Sequence, residues 1–179
     1  MFATYVFLDF ETTGLVNPHV TSMSLIALAS ETSLQSKLVT YHNPTEPITD
    51  AAAMLTGLTK SRLQPFQPFS PDLLLCFLRA QQPPVCLLAH NGNAFDFAIL
   101  HDALKAFALQ LPPNVYTVDT LDLFREMDFG GCRLYQLHQT LFQCPPLVSH
   151  DAEQDCITLI KCFFKAECDR HLAKYYTFQ

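Results

Sequence analysis

The run Phe7-Leu8-Asp9-Phe10-Glu11-Thr12-Thr13-Gly14 sets two carboxylates two residues apart among apolar and β-branched residues that read as a strand. Successive strand side chains point to opposite faces, so Asp9 and Glu11 project from the same face. Two negative charges held that close resist ionising unless a cation lies between them. A Mg²⁺ or Mn²⁺ site resolves the conflict. On these residues alone a plainer role stays open, in which the acids do no more than cap the Thr-Thr-Gly turn that follows.

A length of 179 residues predicts one domain spanning 1–179 and large enough for a full core. With 49% hydrophobic and 16% charged residues the chain reads as globular rather than disordered. No apolar stretch approaches the ~20 residues that cross a bilayer, and the first strand follows the N-terminus without the basic region and cleavage site of a secretory signal. The expectation is a soluble, intracellular protein without a membrane partner. Seven cysteines, an odd number with no C-x-x-C pair, predict reduced and mostly buried thiols rather than a disulfide framework or a thiolate zinc site. A net charge of −6 with only 11 scattered basic residues argues against a broad nucleic-acid-coating surface. A polyanionic substrate would have to bind through a short footprint, with metal ions supplying much of the attraction.

Along the chain, residues 3–10, 20–30 and 34–42 read as an antiparallel meander. Residues 48–55 form a short helix opening at Thr49 and Asp50 and stopped by Gly57, and Ser70-Pro71-Asp72 opens a second helix over 73–80. Strand 85–89, helix 95–109, strand 115–121, helix 134–142 and a long final helix from Asp151 to about Leu172 complete an α/β domain around a mixed sheet.

Asp96 follows the apolar run 85–89 where a polar turn gives way to a helix, the end of a strand at which α/β sheets bind ligands. Alone, it reads more readily as a first-turn acid complementing the helix dipole. In Ser149-His150-Asp151-Ala152-Glu153-Gln154-Asp155, either Ser149 or Asp151 can cap the last helix. His150 then stands at its mouth and Asp155 about one turn further in, so both can face one cavity. A lone histidine there would be a surface or capping residue, and the downstream Asp155 raises the functional reading.

Taken in order and spacing, Asp9-Phe10-Glu11, His90-Asn91-Gly92-Asn93-Ala94-Phe95-Asp96 and His150-x4-Asp155 resemble the three motifs of the DEDDh 3′→5′ exonucleases. Leu8 to Leu15, Leu55-Thr56-Gly57-Leu58 and His90-Asn91-Gly92 are most similar to the three-prime repair exonuclease (TREX) group. Two departures stand out. Phe95 replaces the tyrosine usual in that group, and the Pro-rich loop and membrane-anchored tail of one mammalian member are missing.

The resemblance implies a ribonuclease H-like mixed five-stranded sheet flanked by helices. It also implies two Mg²⁺ ions, replaceable by Mn²⁺, on Asp9, Glu11, Asp96 and Asp155, with His150 as general base. The implied product is a nucleoside 5′-monophosphate from a DNA 3′ end, single-stranded or frayed, in the cytoplasm or nucleus. Leu15 would wedge against the terminal base, Leu55 would lie against a base from the other side, and the Thr12 backbone would meet the 3′-hydroxyl. Thr13, His90, Asn91 and Phe95 would line the same groove. Core packing is the plain alternative for Leu15 and Leu55. RNA as substrate, and a nucleic-acid-binding or polymerase-associated module without turnover, remain the rival functions. A homodimer through the edge strand 33–42 is also implied.

Overall fold

A computed structural model describes residues 2–147 and 150–172. Ser149, one of the two capping candidates, and the segment beyond Leu172 lie outside the described residues.

Strand β1 (Thr4–Thr12) runs through the middle of a five-stranded sheet of order β3-β2-β1-β4-β5. It pairs antiparallel with β2 (Val20–Leu28), which pairs antiparallel with the edge strand β3 (Leu34–Tyr41). On its other side it pairs parallel with β4 (Val85–Ala89), itself parallel to the second edge, β5 (Val115–Asp119). Between β3 and β4 the chain forms α1 (Asp50–Thr56), the single turn α2 (Lys60–Leu63) and α3 (Asp72–Arg79). Helix α4 (Asp96–Ala106) joins β4 to β5, and α5 (Thr120–Glu126), α6 (Leu134–Phe142) and α7 (Ala152–Lys165) follow.

The period of two along β1 builds both layers at once. Val6, Leu8 and Phe10 enter one core with Leu74, Leu75 and Leu78 of α3 and Leu100 and Leu104 of α4. Tyr5 and Phe7 enter the other, with Leu137 of α6 and Cys156, Leu159 and Phe163 of α7. The Phe7 and Phe163 rings meet edge to face at 5.4 Å, which fixes α7 across β1. Asp9 and Glu11 continue the Phe7 face past the end of that core, so the α7 side of the sheet changes from apolar to acidic within one strand.

Several boundaries differ from the sequence reading. Asp119 ends β5 two residues earlier than expected, because its carboxylate accepts the Leu121 N–H and starts α5, a helix the β-branched run had concealed. The last helix stops at Lys165, and Glu167 turns left-handed (φ 53) into a short 3₁₀ turn over Cys168–Arg170 instead of continuing to Leu172. All seven cysteines are free, with Cys86, Cys156, Cys162 and Cys168 buried. Among the described residues no helix is long and apolar enough to cross a membrane.

Candidate metal and active site

The carboxyl end of β1 carries the acids because a strand cannot turn one of them away from the other. Asp9 pairs in register with Ser24 and Glu11 with Ser22, and an irregularity between Glu11 and Thr12 then bends the strand into the Thr13-Gly14 turn. Helix α7 arrives over this end. Asp151 is its N-cap, accepting the Gln154 N–H at 3.0 Å, and one turn later Asp155 faces back towards β1. Carboxylate oxygens of Asp9, Glu11 and Asp155 all lie within 4.8 Å of one another.

Asp96, the first residue of α4, enters from beyond the end of the neighbouring strand β4. It is only 3% exposed, and its Oδ1 accepts the backbone N–H of Phe10 at 2.9 Å, the residue between Asp9 and Glu11. It stands beside the trio rather than within it, and its charge is the largest of those bearing on Asp9. The first-turn position expected of Asp96 is real, but its carboxylate also reaches the Phe10 N–H on β1.

The electrostatics follow from crowding acids into a partly dry site. Burial, reinforced by the charges of Asp96, Asp155, Glu11 and Asp151, holds Asp9 well above the usual carboxylate range. Burial first, and Asp155, Asp151 and Asp96 next, push Glu11 up to about 8. Burial raises Asp96 to about 7 against the backbone N–H groups of Phe10 and Asp96 itself. Asp155 is also raised by burial, opposed by the His150 N–H that its Oδ2 accepts at 2.8 Å. Among the described residues no lysine or arginine forms an ion pair with any of the four. A set of hard oxygen donors that repel one another fits a divalent cation of the Mg²⁺ type. The nearby Cys156 thiol turns instead towards the carbonyls of Phe7 and Ser24.

Other predicted positions separate into two groups. Leu15 is 87% exposed and Leu55 57%, so core packing is excluded for both. Asn91 is exposed in a left-handed conformation (φ 61), Phe95 is half-buried at the start of α4, and His150 is exposed with φ 61 at the mouth of α7. Two positions expected in a groove have their polar atoms committed to the framework. Thr13 is 2% exposed, and its hydroxyl accepts the His19 N–H while its carbonyl accepts the Thr49 N–H at the start of α1. His90 has both ring nitrogens engaged, Nδ1 with the Thr120 hydroxyl at 3.1 Å and Nε2 with the Cys132 carbonyl at 2.7 Å. The Thr12 hydroxyl likewise folds back to the Gly14 carbonyl, leaving its backbone as the part that could meet a ligand.

Two acids at the site's margin escaped the sequence reading in this context. Asp151 lends its charge to Asp9 and Glu11, and Asp119 to Asp96. The signal for Asp119 was present in Val118-Asp119-Thr120, a strand followed by a capping residue.

The exonuclease (RNase T) family model matches residues 6–163, nearly the whole described chain and all three acidic segments. The chain belongs to the exonuclease family. Within the family, three prime repair exonuclease 2 of Homo sapiens is 31% identical over 89% of this chain and 82% of its own length. Three-prime repair exonuclease 1 of Homo sapiens is 30% identical, over 88% of this chain and 62% of its own. Among solved structures, exonuclease X in complex with 5′ overhanging duplex DNA superposes with a TM-score of 0.71 at 19% identity, covering 93% of each chain. Exonuclease I of E. coli with a dT13 oligonucleotide gives 0.77 at 19% identity, over 96% of this chain and 43% of that one. These likenesses show the fold, the mixed ribonuclease H-like sheet expected from the motifs.

Proposed function

We propose that this exonuclease is a DEDDh enzyme, folded as one domain over 1–179, that removes nucleoside 5′-monophosphates from DNA 3′ ends, single-stranded or frayed. The observation that carries the reading is the convergence of Asp9, Glu11 and Asp155, with Asp96 alongside, as a cluster of acids that no lysine or arginine pairs with among the described residues. Asp9, Glu11, Asp96 and Asp155 would hold two Mg²⁺ or Mn²⁺ ions. Such a pair supplies charge stabilisation to the attacking and leaving oxygens of an in-line phosphoryl displacement.

The chain's own groups do the rest. His150 is exposed where α7 begins, and the bond from its N–H to Asp155 fixes its backbone while leaving the imidazole free to take a proton from the attacking water. Leu15 and Leu55 offer exposed apolar surface on which any base can rest, consistent with removal of nucleotides without sequence preference. Asn91, Phe95 and the Thr12 backbone border the same opening. DNA is preferred as substrate because the curated relatives are named for three-prime repair and the structural neighbours hold DNA. Seven unpaired cysteines support a reducing, intracellular setting, cytoplasmic or nuclear. The edge strand β3 is the surface through which a homodimer would form.

The test uses matched DNA and RNA oligonucleotides labelled at the 5′ end, with Mg²⁺ or with EDTA. The expected result is a Mg²⁺-dependent ladder shortening the DNA one nucleotide at a time from its 3′ end. Internal fragments, turnover in EDTA, or degradation of the RNA alone would refute the reading.

A further inference from the structure

We infer that Asp119 is a positioning residue for Asp96, and through it for the cation site, an inference that rests on the exonuclease reading above. Asp119 is the last residue of β5 and only 7% exposed, and no basic side chain pairs with it among the described residues. Its charge is answered by the backbone instead. Oδ1 accepts the Leu121 N–H at 3.0 Å, and Oδ2 accepts the Asn93 N–H at 2.9 Å. The first bond caps α5. The second does nothing for α5, because Asn93 belongs to the connection between β4 and α4, three residues before Asp96.

That connection needs an outside anchor. The parallel pairing of β4 with β5 ends at Ala89 opposite Asp119, after which the two chains part. The loop turns through Asn91 at φ 61, and Phe95, the residue before α4, gives that helix no side-chain cap. His90 at its start is tied outward to Thr120 and to the Cys132 carbonyl, but beyond it the loop's own bonds are internal: Ala94 N–H to the Asn91 carbonyl, and Phe95 and Phe97 N–H to the Gly92 carbonyl. The bond from Asn93 N–H to Asp119 extends the lateral tie past the end of the ladder. Thr120 adds a second tie, donating its hydroxyl to the Ala89 carbonyl at 3.2 Å. With the loop held, Asp96 reaches the Phe10 N–H between the two β1 acids. Asp119 thus holds Asn93 by a hydrogen bond, the backbone from Asn93 carries that restraint through three residues to Asp96, and Asp96 holds Phe10 on β1 by a second hydrogen bond.

An alanine at 119 leaves two N–H groups without acceptors, and an asparagine, with one oxygen, leaves one. Purified wild type, Asp119→Ala and Asp119→Asn would be titrated with Mn²⁺ alone by calorimetry, and assayed for kcat and KM on single-stranded DNA. The expected result is about a 10-fold weaker Mn²⁺ affinity for Asp119→Ala, in the range that partners outside the ligand shell command. Asp119→Asn should be intermediate, and KM for DNA should stay within about twofold in both while kcat at limiting Mn²⁺ falls with affinity. If Asp119→Ala does not fold, Asp119→Asn decides. Mn²⁺ affinity and kcat equal to wild type in a folded variant, with wild type active, would overturn the role of Asp119 alone. A wild-type protein without Mn²⁺ binding or nuclease activity would overturn this inference together with the reading beneath it.

Discussion

Removing one charge from the acidic cluster should strengthen the metal-free protein while disabling it, and Glu11→Gln is the cleanest such change. The Glu11 side chain makes no hydrogen bond within the described structure, so glutamine costs no contact. Unit charges about 5 Å apart repel by about 3 kcal/mol at an effective dielectric constant of ~20. The protein relieves part of this by binding protons. Glu11 titrates at about 8 in the folded state against 4.5 ordinarily, burial being the leading cause. Between those values the folded state holds more protons than the unfolded one, so the penalty is absent below pH 4.5 and grows as pH rises towards 8. At pH 7.5 the shift corresponds to about 4 kcal/mol, which partial solvent exposure of Glu11 reduces to about 2. Glutamine escapes it. Thermal unfolding in EDTA at pH 7.5 should therefore rise by roughly 4–8 °C for Glu11→Gln, and by nearly nothing at pH 4.5. Saturating Mg²⁺ should raise wild type far more than the variant. A variant no more stable than wild type at pH 7.5 in EDTA would refute the claim that the acids are crowded against one another.

Three further outcomes follow from individual residues. His42 is buried and its pKa is lowered to about 4, so it stays neutral when folded and protonates when unfolded; stability should decline as pH falls from about 6.5 to 4. A ring resonance titrating near 6.5 by NMR would contradict this. Ser24 is fully buried opposite Asp9, and among the described residues its hydroxyl meets no partner stronger than the Cys156 thiol, so Ser24→Ala should be neutral or stabilising by about 1 kcal/mol in urea unfolding, and a clear loss would reveal a partner. Leu15→Ala should leave the melting temperature unchanged, because the side chain is 87% exposed, while weakening single-stranded DNA binding by about 1 kcal/mol in a fluorescence titration. Unchanged affinity would remove Leu15 from the binding surface.

The parts of this protein that the sequence made legible are those governed by short-range periodicity. Alternation on β1 puts Asp9 and Glu11 on one face whatever the tertiary context, and the apolar run Val85–Ala89 could only be a buried strand. Helix α6 begins at Leu134 and ends at Phe142, as its apolar spacing requires. What stayed hidden depends on contacts distant in sequence. Helix α5 disappears in a β-branched run unless Asp119 is recognised as its cap. The resemblance places Thr13 and His90 in a groove, yet His19, Thr49, Thr120 and Cys132 claim their polar atoms from elsewhere in the chain. Asp119 was invisible as part of the site because its bond to Asn93 spans 26 positions.

Crystals grown with Mn²⁺ and measured at its absorption edge test the central claim most directly, since anomalous scattering locates the metal without assuming a function. Two peaks ~3.5–4 Å apart, ligated by Asp9, Glu11, Asp96 and Asp155, are the predicted result. An empty carboxylate cluster at saturating Mn²⁺, or peaks held by other residues, would contradict it.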